Sequence, residues 1–559
     1  MLTKIFFFHY LCKLRTAKLY MKMRSLYSYM TFILLLLLAV SCQPDISDDG
    51  SGSGEDVRTV GRVSSAEKRN VLLLYSAGFN SLSGYLTDDI SDLWNGPLPG
   101  AGRNDDVLLI YSHKLASDYA TPNPPVLYRL YENYAGETVS DTLVVYDVNA
   151  RSASAQQLND VLTYINEAYP AKYYGMIFSS HATGYLPAGY YGSPTDESFD
   201  WDMLCRFGHR DRTPRPVPYV EIERDPSLPA VKSVGQDLVG PLGSRVSYEM
   251  EIADFAEAIP MHMRYILFDA CLMGGVEVAY ELREKCDMVA FSPTEVLAQG
   301  YDYNTLTTHL LCDEPDVQAV CEDYYAQYES QSGSWQSATI SLVDCRKLEG
   351  LAGLCENLFE KYRAGLALID PERVQQYFTY SYHWFYDLES IITESGKAER
   401  YHYESLDAST RNRIRKASAE LEQLVRTLED IEEELASLTP EDDRYEDLDA
   451  QLRKYQASLE EKESEVEELN SELDEITARL QSIMEGWEEQ MAVLDKDVSD
   501  LRKRLDACII YKAATEMFLD MFDIDVYSGL SMYLPCNGGP NLDRYYRTLA
   551  WNIRTGLVE

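Results

Sequence analysis

The sequence predicts an α/β protein with a mostly parallel sheet, helices on both faces and an inserted α-helical antiparallel coiled-coil hairpin. Three observations predict it. In RYILFDACLMGGVEVAYEL (264–282), Tyr265 to Phe268 form a continuous apolar run, as a parallel strand buried on both faces would, and Val276, Val278, Ala279 and Leu282 follow at helix-like spacing. YYGMIFSSHATGY (173–185) repeats that grammar: an apolar strand from Gly175 to Phe178 runs into Ser179, Ser180 and His181. Between residues 421 and 483, leucines and isoleucines step by three and four, the pattern of a coiled-coil seam.

A chain of 559 residues, 45% apolar, can bury a sizeable core and is long enough for two or three domains. At the N-terminus, Lys22 and Arg24 precede the apolar run TFILLLLLAV (31–40), which is too short for a membrane-spanning helix and reads as a signal peptide's apolar region. The ending Ala-Val-Ser-Cys is similar to a bacterial lipoprotein signal, which implies lipidation of Cys42 and a place in the cell envelope, at the outer membrane or cell surface. Residues 1–41 are then the signal and 42–67 a flexible acidic tether. Eleven cysteines without a CxxC pair define neither a zinc site nor a disulfide framework.

Each strand end carries chemistry. Cys271 stands where a strand hands over to a helix, the carboxyl end at which open α/β sheets keep their ligand crevice. A free cysteine by itself packs as a small hydrophobe, and a single histidine is an ordinary loop residue. Together they form a nucleophile and its base, because an imidazole beside a thiol favours the thiolate or takes its proton during attack. The two meet only if their strands are parallel neighbours. A hydrolase elbow is disfavoured, since Asp269 and Met273 occupy the places where its glycines belong.

The order of SSHATGY and FDACLMG resembles the clostripain family of cysteine peptidases, whose catalytic domain is caspase-like. VLLLYSAGFNSLSGYLTDDISDL (71–93) looks like that family's first strand and helix, and YSGLSMYLP (527–535) like its closing strand. The resemblance implies a peptidase domain over 68–393, completed by 500–559, with Cys271 as nucleophile and His181 as catalytic histidine. It implies backbone amides at Ala182 and Cys271 as oxyanion donors, and peptide or protein substrates. Asp269 matches an acidic residue by the pocket for the residue before the scissile bond, where the family accepts Arg or Lys. Residues two apart on a strand share a side, so its carboxylate and the thiol are expected to face one cleft.

Two departures bear on this. Ala182 stands where the family has Gly, keeping the amide but adding a methyl near the oxyanion donors, with Gly184 two residues on. In SPTEVLAQGYDY (292–303), Gln299 replaces an acidic residue, which leaves Glu295 or Asp302 to compensate in substrate binding. Residues 205–237, rich in Arg and Pro, read as a long surface loop. Family members cut themselves in this interval after a basic residue, which makes Arg206, Arg210, Arg212, Arg224 and Lys232 candidate sites; Pro216 makes Arg215 a poor one. The aromatic run YFTYSYHWFYD (377–387) is expected to be a core-packed helix.

The hairpin, 394–499, has one seam through Leu421, Leu424, Leu428, Ile431, Leu435 and Leu438. Pro440 and EDDRYED interrupt it, and a second seam runs from Leu448 to Ile483 with Lys462 in its one polar slot. Each arm is expected to reach on the order of 45 Å at 1.5 Å per residue. A stutter lies between Trp487 and Met491, beyond which 501–520 reads as a helix. The hairpin supplies much of the net charge of −41, an acidity that argues against nucleic acid and suits basic peptides. No cofactor is required. Calcium enters by family resemblance only; the pairs Asp88-Asp89 and Asp105-Asp106 could offer oxygens, but no twelve-residue calcium loop is present. The rival reading is a caspase-like surface protein with weak or lost catalysis that binds a partner through the hairpin.

Overall fold

The computed structural model describes residues 69–100, 105–115, 123–190, 216–218, 227–231, 237–240, 246–379, 383–535 and 537–559. Its centre is a nine-stranded sheet. In chain order the strands are β1 (Asn70–Gly78), β2 (Val107–Lys114), β3 (Val126–Glu132), β4 (Thr138–Val145), β5 (Tyr173–Ser179), β6 (Met263–Asp269), β7 (Cys286–Phe291), β8 (Thr339–Asp344) and β9 (Ile509–Ala514). Their order across the sheet is β9-β8-β7-β6-β5-β1-β2-β3-β4. The five central strands β7-β6-β5-β1-β2 are parallel, and an antiparallel pair flanks them at each edge. β1 is buried along all nine residues, as a strand covered on both faces must be. Gly175 lies opposite Tyr265 in the β5–β6 register, and a Cβ there would sit 2.0 Å from the tyrosine ring. Glycine is what lets that ring lie across the neighbouring strand.

Helices cover both faces. They include α1 (Ser83–Asn95), α2 (Ala155–Ala168), α3 (Ile252–Ala258), α4 (Val276–Glu281) and α5 (Val317–Glu329). Phe268 packs edge-on against Phe178 and, tilted, against Phe255 on α3. Asp269, the next residue, bonds Tyr303 on the other side. Alternation along the strand therefore separates an aromatic core under α3 from a polar pocket near α5. Ser154 and Asp316 cap α2 and α5 by accepting backbone N–H groups.

Beyond α6 (Leu348–Lys361) and α7 (Leu388–Ser395), α8 (Ala398–Ala436) and α9 (Tyr445–Glu485) lie antiparallel. Cross-pairs run Arg479 with Glu399, Arg413 with Glu472 and Lys462 with Glu420. Leu428, Ile431, Leu448, Leu469, Ile476 and Ile483, all predicted seam positions, are buried between them. The arms, 39 and 41 residues, reach about 60 Å each, longer than expected because α8 starts well before the first seam leucine. Gly486 ends α9, and α10 (Trp487–Cys508) returns to the sheet side.

Three expected elements differ. The helix expected over 501–520 stops at Cys508, where Ile509–Ala514 joins β8 antiparallel; the β-branched and aromatic run Ile509-Ile510-Tyr511 fits an edge strand. That strand, rather than 527–535, closes this edge of the sheet. In the latter stretch only Ser531–Met532 is extended, paired with Tyr386–Asp387. The described residues of the aromatic run 377–387 form no helix either: Tyr377 N–H donates to Phe385 O and Gln376 makes an antiparallel bridge with Tyr386, a strand-like pairing. Its Tyr377, Phe378, Trp384, Phe385 and Tyr386 are nonetheless buried in the core. Pro216–Pro218, inside 205–237, and Asp237–Val239 at its end flank Val246–Tyr248 in a small antiparallel sheet, so the described part of this interval is not all irregular. No helix of the described residues is long and apolar enough to cross a membrane.

Candidate active site

Strands β5 and β6 are adjacent and parallel, with Ser179 opposite Asp269. His181 and Cys271 each follow two residues later, so both stand just past neighbouring carboxyl ends. The loops that carry them touch. Gly184 holds a φ of +62°, and a Cβ on it would lie 2.5 Å from the Leu272 carbonyl oxygen. Only glycine permits this approach with a left-handed backbone. Leu272 is itself left-handed at φ 62°, a conformation disfavoured for a branched side chain. Bonds from Leu272 N–H to Thr294 O (2.9 Å) and from Gly274 N–H to Ser292 O (2.8 Å) hold the turn.

Cys271 is a free thiol, wholly buried. Its Sγ accepts the Val296 N–H at 3.0 Å and donates to Val296 O at 3.6 Å. The strip after Val296 is in turn held by residues from the 205–237 interval: Ala298 N–H donates to Ala230 O at 2.8 Å, and Val231 bridges Leu297.

His181 is buried and borders a small cavity of about 50 Å³ with Ala182, Gly184, Glu249 and Met273. Its Nε2 lies 3.1 Å from Ser81 Oγ. Glu249 accepts Gly189 N–H (2.6 Å) and Ser247 Oγ–H (2.9 Å), and burial pushes its carboxyl up to about 7.

Asp269, the last residue of β6 and two before Cys271, is fully buried. Its Oδ2 accepts Ser179 Oγ–H (3.1 Å) and Tyr303 O–H (2.7 Å), and Gly300 lies over it so closely that a Cβ would be 2.4 Å from that oxygen. Tyr301, Tyr324 and Tyr328 complete an aromatic surround, the last donating to Gly300 O at 2.7 Å. Glu295, also buried, accepts Thr379 Oγ1–H at 2.6 Å. Gln299 is exposed. Asp302 spends its carboxylate on its own turn, accepting from Asn304 and Thr305. Cys42, Arg206, Arg210, Arg212, Arg224 and Lys232 lie outside the described residues.

Among the described residues, no group of three or more His, Cys, Asp or Glu side chains gathers as metal ligands. Asp106 is buried and accepts Asn70 N–H at 2.7 Å beside the start of β2. Tyr303, Gly300, Ser81 and Glu249 were not foreseen from sequence. Tyr303 and Gly300 belong to the same stretch as Glu295, but a tyrosine and a glycine there carry no signal until the fold turns them onto Asp269.

A family model described as the clostripain family matches residues 74–202 and 225–553. The solved structure of an inactive zymogen C11 protease from Parabacteroides distasonis is 22% identical, with 87% of this chain and 98% of that one covered and a TM-score of 0.53. A secreted C11 cysteine protease from Bacteroides thetaiotaomicron, solved with an irreversible peptide inhibitor, is 19% identical, with 87% and 99% covered and a TM-score of 0.52. At these identities the likeness is one of fold. No curated protein sequence matches the chain.

Proposed function

The chain belongs to the clostripain family and is a cysteine peptidase acting on peptides or proteins, and from that premise we propose that it is an endopeptidase cutting after Arg or Lys through a Cys271–His181 dyad. The observation that carries this reading is the β5–β6 register, which sets the two residues at matching strand ends with their loops in contact. In the proposed cycle, the Cys271 thiol gives its proton to His181 and Sγ attacks the scissile carbonyl. Collapse of the tetrahedral intermediate returns that proton to the leaving amine and leaves a thioester. Water, deprotonated by His181, then releases the acid. Backbone amides near Ala182 and Cys271 hold the oxyanion. Asp269 supplies the charge that selects a basic side chain, supported by its fixed orientation between Ser179 and Tyr303.

Self-cleavage within 205–237 belongs to the same proposal. The thiol has no exposure in the intact chain, and residues 230–231 pin Leu297 and Ala298, next to the Val296 backbone that bonds its Sγ. A cut between Arg206 and Lys232 releases that hold. Lipidation at Cys42 places the enzyme on the cell envelope, and the hairpin offers a surface for a protein partner.

Hydrolysis of fluorogenic peptides ending in Arg, Lys or a neutral residue tests the reading, using purified full-length protein beside Cys271→Ala, each before and after a trace of trypsin. Cleavage after Arg or Lys that disappears in the variant is the expected result. No cleavage by either protein in any state favours the non-catalytic binding protein instead.

A further inference from the structure

We propose that Ser81 is a positioning residue for His181, which orients its imidazole and, by accepting the Nε2 proton, stabilises the imidazolium; this rests on the reading of His181 as the proton carrier. Ser81 lies in the turn that follows β1, the strand next to β5. That turn is rigid. Asn80, fully buried, donates its side-chain amide to Ala77 O at 2.9 Å and accepts Leu82 N–H at 2.9 Å, while Ser83 N–H closes on Asn80 O at 3.2 Å. The histidine loop is fastened to the same point, because Ser180 Oγ–H donates to Ala77 O at 3.0 Å. One carbonyl thus anchors both the turn that carries Ser81 and the residue before His181. The 3.1 Å between Ser81 Oγ and His181 Nε2 follows from that shared anchor rather than from a chance rotamer.

The chemistry follows from which nitrogen is taken. With Ser81 Oγ accepting the Nε2 proton, the neutral ring keeps its lone pair on Nδ1. The thiol proton is then received at Nδ1 and returned from Nδ1 to the leaving amine, while the Nε2 proton stays with Ser81 throughout. A hydrogen bond to a charged donor is stronger than one to a neutral donor, so the hydroxyl favours imidazolium over imidazole. Ser81 itself is exposed at the surface, where its removal leaves no buried void.

The test compares Ser81→Ala, Ser81→Thr, His181→Ala and Cys271→Ala in the full chain, with kcat, KM and the pH profile of kcat/KM on an Arg-ending fluorogenic peptide. Ser81→Ala is expected to lose about fivefold to tenfold in kcat with little change in KM, the size of one lost hydrogen bond. The limb of the profile that reports the imidazolium moves to lower pH, and Ser81→Thr restores both. Unchanged kcat and profile in Ser81→Ala, with His181→Ala and Cys271→Ala inactive, overturns the proposal and leaves the dyad standing. A limb moved to higher pH overturns the acceptor role, and a loss of activity without any shift assigns Ser81 a merely structural part. Activity retained in His181→Ala or Cys271→Ala defeats the dyad reading, and the role of Ser81 with it.

Discussion

Leu272 spends backbone strain at the place where the turn carrying Cys271 must fold back on β7, and Gly184 accommodates it from the side of the His181 loop. The same economy of space governs Asp269, whose carboxylate is trapped between Tyr303, Ser179 and the backbone of Gly300. Two substitutions follow from that packing. Asp269→Asn removes the charge but keeps the shape, and is expected to lower kcat/KM for Arg-ending peptides by about two orders of magnitude, as loss of a buried charge partner does. Peptides with a neutral residue in that place should change little. Gly300→Ala, whose φ of +62° and 2.4 Å contact leave no room for a methyl, should push the carboxylate aside and cost selectivity in the same direction. Steady-state kinetics on matched Arg and neutral peptides read both. Equal losses on the two peptides would assign Asp269 to the scaffold rather than to recognition.

Among the elements, α4 joins the site to the C-terminal part of the fold through Glu277. The side chain is fully buried, accepting Tyr533 N–H (2.9 Å) and Tyr546 O–H (2.6 Å), and burial pushes its carboxyl up to about 7. Because the folded value exceeds the unfolded one near 4.5, the stability this group contributes is full below that pH and is lost as pH rises through about 7. Glu277→Gln removes the titration, so relative to wild type it should gain as much as about 3 kcal/mol between pH 5 and pH 8, read from urea midpoints. A constant difference would mean the carboxyl is already ionised. The helical pair α8–α9 makes its ion pairs and apolar contacts mainly within itself, so excising residues 406–473 should leave short-peptide kcat/KM within about twofold, as for sites that share no partners. A loss of about tenfold or more, beyond such additivity, would make the pair a gate over the cleft. These elements also mark how far sequence reached. The central strands β5 and β6 were legible because both faces are buried and apolar runs betray them, and the helical pair because its seam is long and periodic. The strand at 509–514 was not, since its first residues continue the spacing of α10 and only pairing with β8 makes them extended. The aromatic run at 377–387 misled for a related reason: ring burial there goes with a strand-like pairing, which has no helical periodicity to read. Likewise Cys271 and His181 were visible as residue types at strand ends, whereas Ser81 and Tyr303 join the site only through tertiary contacts.

For the molecule as a whole, the parallel sheet carries His181 and Cys271 at one end, and in the proposed reading the intact chain keeps that site closed. Cys271 is wholly buried, and residues 230–231 hold Leu297 and Ala298, next to the Val296 backbone that bonds its Sγ. The account therefore expects wild-type protein to resolve into two chains on a denaturing gel and Cys271→Ala to remain one; an intact chain from active enzyme would remove self-processing from it. The net charge of −41 is compatible with the proposed preference for basic peptides and argues against a nucleic-acid role. The most direct test is mass spectrometry of full-length protein treated with an Arg-ending peptidyl electrophile, before and after cleavage in the 205–237 interval. The account predicts one adduct per chain, mapped to Cys271, that forms after cleavage, fails to form on the intact chain and is lost in His181→Ala. Labelling of another thiol, or equal labelling of the Cys271→Ala chain, would contradict it.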